Sequence, residues 1–403
     1  MTDSPSIKAV FPKKTAPDYP DALKPENVRA VLRFHRSVPG YRATPLHCLP
    51  ELAARLGLRN IYVKDESPRF GLKAFKALGA TWALARILCE KLGLEPSDVD
   101  FLDLKQAAVR LEDMVFVTAT DGNHGRGLAW AASLLGCRSV VYMPAGSARS
   151  RVTAIEQEGA TVRVTDRNFD GAVRMAAAAA RDNGWHLVQD TAFEGYAKVP
   201  AWVVQGYTTM AREVLEQLGE KGLETPTHLF LQAGVGSMAA SVLGYYANTL
   251  GDACPRTLIV EPHQANCMYE SALADDGTPK AVKGDLNTIM AGLACGEPSP
   301  FAWKVLRDFA AGFVSCSDDV AVVGMRRLAR PLGNDPSIVS GESGAVGIGL
   351  ICRLAADRTL AGIKERIRLD RDSVLLCFST EGDTDPDNYR AIVYGRPDGG
   401  KRA

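Results

Sequence analysis

Val115-Phe116-Val117-Thr118-Ala119-Thr120-Asp121-Gly122-Asn123-His124-Gly125 is an apolar run that breaks into a small polar loop, and Gly127 to Leu135 continues it as an alanine-rich helical pattern. Adjacent β-branched and aromatic residues suit a buried strand, and the loop supplies turn and cap residues. The same unit recurs in both directions. Downstream, Val140-Val141-Tyr142-Met143, Val162-Arg163-Val164 and His186-Leu187-Val188 read as strands, with helices over Gly171 to Asp182 and Pro200 to Leu218. Leu229-Phe230-Leu231, Leu258-Ile259-Val260, Phe313-Val314-Ser315 and Val374-Leu375-Leu376-Cys377-Phe378 follow, again with helical patterns between them. Upstream, Ile61-Tyr62-Val63 is a short strand before a helix from about Ala74 to Lys91. Such alternation argues for parallel sheets covered on both faces. Two series of this kind predict an α/β protein of two domains, each a mostly parallel open sheet covered by helices, with a cleft between them. The expected borders put residues 1–81 and 194–403 in a large domain and residues 82–193 in a small inserted one. Residues 1–40 read as a polar arm plus one helix around Pro25 to Phe34, and the tail after Tyr389 reads as loose.

At 403 residues the chain exceeds what one small core organises. Its hydrophobic share of 46% and charged share of 23% are those of a globular protein. The net charge is formally zero and no block of like charge stands out, which argues against nucleic acid or an anionic membrane as main partner. Met1 to Asp18 shows no apolar stretch behind a basic start, and no apolar run reaches the roughly 18 residues of a membrane span. A cytoplasmic protein is expected. Nine cysteines form no Cys-x-x-Cys and six histidines no His-x-x-x-His, so no metal is expected.

Four constellations carry chemistry. Glu66-Ser67-Pro68-Arg69-Phe70-Gly71-Leu72-Lys73-Ala74-Phe75-Lys76-Ala77-Leu78-Gly79-Ala80 places Lys76 early in the predicted helix among apolar neighbours. Burial there disfavours the ammonium, and a neutral amine is the nucleophile that forms Schiff bases. A lysine snorkelling at a helix start is the plain alternative. Thr118 to Gly125 puts amides and small hydroxyls at a strand end, where Thr120 and Gly122 suit a carboxylate and Asn123 an aromatic hydroxylate. A simple helix cap by Asp121 or Asn123 is the other reading. Gln232-Ala233-Gly234-Val235-Gly236-Ser237-Met238 suits a single phosphate at a helix start, or else tight strand–helix packing. It lacks the third glycine of a dinucleotide fingerprint and the lysine of a P-loop. Cys377-Phe378-Ser379-Thr380-Glu381-Gly382-Asp383 leaves the last strand, and a hydroxyl there could face a ring nitrogen.

In this order and spacing the four resemble the fold type II pyridoxal-phosphate enzymes. More narrowly, several strings resemble the diaminopropionate ammonia-lyases: Lys64-Asp65-Glu66-Ser67, Thr118 to Arg126, Gln189-Asp190-Thr191-Ala192-Phe193-Glu194-Gly195-Tyr196, Thr288 to Pro298, Ser340-Gly341-Glu342-Ser343-Gly344 and Ser379 to Pro386. The resemblance spans residues 40 to 390. It implies pyridoxal phosphate as cofactor, Lys76 as its Schiff-base lysine, Gly234, Val235, Gly236, Ser237 and Met238 around its phosphate, and Asn123 at its 3′-oxygen. Ser379 or Thr380 would meet the ring nitrogen. It further implies elimination of ammonia from 2,3-diaminopropionate of either configuration, with pyruvate as product, in a homodimer. Lys76 would be one base and Asp121 a second base on the opposite face. Thr120, Asp121 and Asp190 would bind substrate, and Asp190 would assist departure of the β-amine. A serine or threonine dehydratase, a β-replacing synthase, and a non-catalytic vitamin-B6-binding module are the alternatives. Against the wider fold type II pattern, Ala74 stands where a serine often precedes the Phe-Lys pair, the phosphate loop has two glycines rather than four, and Asp121 fills a position that is usually small and polar. Cys267 and Cys295 are expected as buried free thiols near the site, and His124 as a structural hydrogen-bonder.

Overall fold

The computed structural model describes residues 6–13, 16–111, 113–120 and 122–395. Eleven strands appear among them: β1 (Ile7–Val10), β2 (Leu46–Cys48), β3 (Asn60–Asp65), β4 (Val115–Ala119), β5 (Arg138–Met143), β6 (Thr161–Val164), β7 (His186–Leu187), β8 (His228–Gln232), β9 (Arg256–Pro262), β10 (Gly312–Cys316) and β11 (Val374–Ser379). Seven form one sheet in the order β1-β10-β9-β8-β11-β3-β2, and four form a second in the order β6-β5-β4-β7. The second sheet is parallel throughout, and the first is parallel except at its two edges. The fold is α/β, two mostly parallel sheets covered by helices. Leu229, Phe230 and Leu231 of β8 are all fully buried, which is why this strand reads as a continuous apolar run rather than an alternation.

Both antiparallel edges escaped the sequence reading. β1 lies in the stretch taken as a polar arm and pairs with β10 from Ile7↔Cys316 to Val10↔Phe313. Four residues of half-buried edge carry too little periodicity to register. β2 follows Pro45 and pairs with β3. At the other end a helix, Pro386–Tyr394, continues past Tyr389, where a loose tail was expected. Proline at its first turn and a side-chain cap from Asp385 to the Asn388 amide start it.

Parallel strands send their carboxyl ends to one edge, and the topology decides which ends meet there. β8, β11 and β3 are neighbours in the large sheet, so the Gly234 loop, Ser379-Thr380-Glu381 and the lysine segment emerge side by side. β4 and β7 are neighbours in the small sheet and bring Thr120, Asn123 and Asp190 together. Helix Ala77–Leu92 runs straight through the 81/82 border. It is held against helix Asn123–Leu134, where a Cβ on Gly127 would stand 2.8 Å from the backbone N and Cα of Ala77. Only a glycine lets the two backbones come this close.

Candidate active site

After β3 the chain winds through three left-handed residues, Phe70 (φ 52°), Gly71 (φ 75°) and Lys73 (φ 60°). It is then drawn against the exit of β11. Phe75 N donates to Thr380 O (3.2 Å), Gly382 N donates to Lys73 O (2.9 Å), and Ala74 bridges Glu381. These contacts hold the segment out of the helix, which starts at Ala77, so Lys76 stands immediately before it rather than inside it. The Lys76 ammonium meets the Asp190 carboxylate in a close ion pair. Asp190 is buried, which pushes its carboxyl up, but the Lys76 cation and His124 outweigh that and hold it at about 2. Lys73, the other lysine of this segment, pairs at 2.7 Å with Asp383 and is half-exposed.

Asp121 lies outside the described residues. Around it, Thr120 Oγ1 accepts from the amides of Gly122 (2.9 Å) and Gly125 (3.0 Å), so this hydroxyl shapes the loop as a cap. Asn123 opens the helix and donates through Nδ2 to Glu381 Oε2 at 2.6 Å. His124 Nε2 faces Val188 O at 2.8 Å, a structural bond that tethers the segment leading to Asp190. Gln189 secures the same segment, accepting from Ala119 N (2.9 Å) and donating to Ala119 O (3.0 Å).

The glycine loop faces Lys76 across the cavity. Gly236 has φ 92°, a left-handed conformation in which any other residue would be strained. Helix Ser237–Leu250 starts without a side-chain cap, and the amides of Gly236, Ser237 and Met238 have no hydrogen-bond partner among the described residues. Ser237 Oγ donates to Asp190 O (2.6 Å). Cys267 and Cys295 are buried free thiols. Cys267 Sγ lies 3.7 Å from Gly234 O, and Cys295 Sγ sits where a Gly234 Cβ would be crowded.

At the end of β11, Ser379 is fully buried and hydrogen-bonds Ser340 Oγ at 2.8 Å, whereas Thr380 lines the cavity. Consecutive residues leaving a strand point to opposite sides, and here the outer one is Thr380. Gln232 Nε2 donates to Thr380 Oγ1 (2.8 Å), while its Oε1 is buried without a partner. The cavity wall thus joins Lys76, Thr120, Asn123, Asp190, the Gly234–Met238 loop and Thr380. It also includes Gln232, Ser343 and Glu381, to which the sequence assigned no role. Their one signal was position, inside strings that sit at strand ends.

A family model described as pyridoxal-phosphate dependent enzyme matches residues 38–366. The chain belongs to the pyridoxal-phosphate dependent enzymes. Diaminopropionate ammonia-lyase of Salmonella typhimurium is 50% identical over 367 residues, 90% of this chain and 91% of that one. The crystal structure of diaminopropionate ammonia lyase from Escherichia coli with an aminoacrylate-PLP azomethine reaction intermediate superposes with a TM-score of 0.89 at 46% identity, covering 96% of this chain and 97% of that one. The same enzyme in complex with D-serine gives a TM-score of 0.91 at 47% identity, with the same coverage.

The residues present fit the cofactor of the pyridoxal-phosphate dependent enzymes. Bare amides at the positive end of an uncapped helix, with glycine where the backbone turns left-handed, make a cradle for one phosphate. A lysine amine and an amide donor stand on the same cavity wall.

Proposed function

We propose that the chain catalyses α,β-elimination of 2,3-diaminopropionate, in either configuration, to pyruvate and two molecules of ammonia, with water supplying the keto oxygen. The observation that carries this reading is the pairing of Lys76 with the buried Asp190 carboxylate in a cavity that also holds a phosphate cradle. Half-identity to the Salmonella typhimurium ammonia-lyase over nine-tenths of both chains supports the substrate.

The Gly234–Met238 amides would hold the cofactor phosphate, Lys76 would be its Schiff-base lysine, Asn123 would donate to its ring oxygen and Thr380 would meet its ring nitrogen, with Ser379 behind Thr380. Pyridoxal phosphate, when bound, supplies the conjugated ring that accepts the electron pair left by the α-proton. Thr120 and the amides beside it receive the substrate carboxylate. Lys76 Nζ takes the α-proton from one face. Asp121 takes it from the other, so that both configurations react. Asp190 is an anion while a cation faces it: the Lys76 ammonium, with His124, outweighs the burial that pushes its carboxyl up. Once Lys76 Nζ is engaged elsewhere, Asp190 is left to pair with the β-ammonium and to guide its proton as ammonia leaves. A cytoplasmic location belongs to the same reading. No helix among the described residues is long and apolar enough to cross a membrane. A homodimer belongs to the same reading, and sedimentation checks it.

The deciding experiment is a visible spectrum of the purified protein before and after adding DL-2,3-diaminopropionate, with pyruvate measured by a coupled dehydrogenase. The expected result is a yellow protein whose band shifts and which forms pyruvate far faster from the diamino acid than from serine. Faster turnover of serine or threonine would replace this reading with a dehydratase.

A further inference from the structure

Glu381 is the one carboxylate of the cavity wall that the proposed chemistry does not use. It is 2% exposed. Its Oε2 accepts from Asn123 Nδ2 at 2.6 Å and its Oε1 from Ser343 N at 3.1 Å. Both donors are uncharged, and no lysine, arginine or histidine forms an ion pair with it among the described residues. A buried anion without a cation is costly, so its retention asks for a reason. Its backbone is fixed as firmly as its side chain. The Ala74–Glu381 bridge sits two residues from Lys76, and Gly341 N donates to Glu381 O at 2.9 Å.

We infer that Glu381 is a positioning residue that locks the Asn123 amide with its donor side toward the cofactor ring oxygen and sets a negative charge beside that oxygen. This rests on the assignment of Asn123 made above. An amide has one donating and one accepting end, and only the donating end serves a ring oxygenate. The bond to Glu381 selects that end: one Nδ2 hydrogen goes to the carboxylate and the second is left for the ring oxygen. The charge then acts through the same amide. An anion nearby favours the protonated form of the bound chromophore, and so keeps it protonated to higher pH.

The charged groups facing Glu381 support this. On the lysine segment, Lys76 is paired with Asp190 and Lys73 with Asp383, so neither neutralises it. On the helix beginning at Glu342, that residue's own carboxyl is pushed up to about 7 by burial and by Glu381, with Arg151 acting against the shift. It also accepts a bond from Asn388.

The test is a pH titration of the visible band of the cofactor-loaded protein for wild type, Glu381→Gln, Asn123→Ala and the double variant. Removing the anion should move the midpoint down by roughly one pH unit, and in the Asn123→Ala background the same substitution should move it by less than half as much. An unchanged midpoint in a loaded Glu381→Gln protein overturns the inference while leaving the proposed reaction standing. Wild-type protein that takes up no cofactor overturns both. Should Glu381→Gln fail to load, Glu381→Asp and Glu381→Asn are compared, since they share a length and differ in charge. The aspartate variant should then hold its midpoint about one unit above that of the asparagine variant, and equal midpoints overturn the inference.

Discussion

At the scale of single residues, the question is which amine and which acids act. Lys76 and Lys73 are three positions apart, but their surroundings separate them: Lys76 is paired inside the cavity with Asp190, and Lys73 is half-exposed with Asp383. Lys76→Ala should therefore abolish the visible band and cut pyruvate formation by about a thousandfold or more, whereas Lys73→Ala should keep the band. A band that survives in Lys76→Ala would transfer the covalent role to Lys73. The two proposed acids differ in a testable way. Asp121→Asn should lower kcat/KM for the D-isomer at least about tenfold more than for the L-isomer. Equal losses would remove Asp121 as a configuration-specific base. Urea midpoints of the same purified proteins separate a folding defect from these losses.

At the scale of elements, what the sequence disclosed and what it hid have physical causes. Seven of the nine strands announced by apolar runs are buried over almost their whole length, and burial is what composition records, whereas β6 and β7, at the edges of the small sheet, are exposed or half-buried. β1 and β2 are short antiparallel edges; β1 is set by distant β10, which no local pattern reports, and β2 is only three residues long. The site was legible as motifs at strand ends, because parallel topology sends all such ends to one edge. The start of the lysine helix was not legible, since Lys76 is kept out of it by backbone bonds to Thr380 and Gly382, some three hundred residues later in the chain. Nor could sequence choose between Ser379 and Thr380, which differ only in the side of the chain from which they leave. Close packing of elements gives the prediction here. Gly127→Ala would drive a methyl to 2.8 Å from the Ala77 backbone, which has no flexible side chain to yield. The variant should lose about 1–3 kcal/mol in urea unfolding and should lower kcat by displacing Lys76. Gly136→Ala, at a site with open space but a left-handed φ of 76°, should lose stability from backbone strain without the loss in kcat. A Gly127→Ala protein with wild-type kcat would show that the contact relaxes away from the lysine.

At the scale of the whole molecule, the lysine segment is tied to the rest of the chain by a buried charge network, and this network sets the acid limit of stability. Arg69 sits under the left-handed turn and is 1% exposed. Its guanidinium donates to Glu66 Oε2 and Oε1, each at 2.8 Å, and to Glu213 Oε1 and Oε2, also at 2.8 Å. Lys64 joins Glu213 at 2.6 Å and donates to Thr44 O at 2.7 Å. Two cations and two carboxylates thus bind β3, the lysine segment, the loop at Thr44 and helix Lys198–Glu220 into one unit with no net charge. Burial pushes the Glu213 carboxyl up, but Arg69 and Lys64 outweigh it and hold the group at about 2, below its ordinary 4.5. A carboxylate depressed in this way contributes stability above its unfolded value and loses it as pH falls toward the folded one. The contribution is therefore complete at neutral pH and fades between about 4.5 and about 2. Arg69→Met removes the cation and leaves two acids facing each other without water. It should destabilise the protein by roughly 3–5 kcal/mol at neutral pH. The gap from wild type should narrow as pH is lowered toward about 4, because Glu213, without the Arg69 cation that helps hold it at about 2, can then take up a proton in the variant and not in the wild type. Urea midpoints across that range measure it. A gap independent of pH would mean that Arg69 acts by packing alone, and the network would then hold the lysine segment by shape and not by charge.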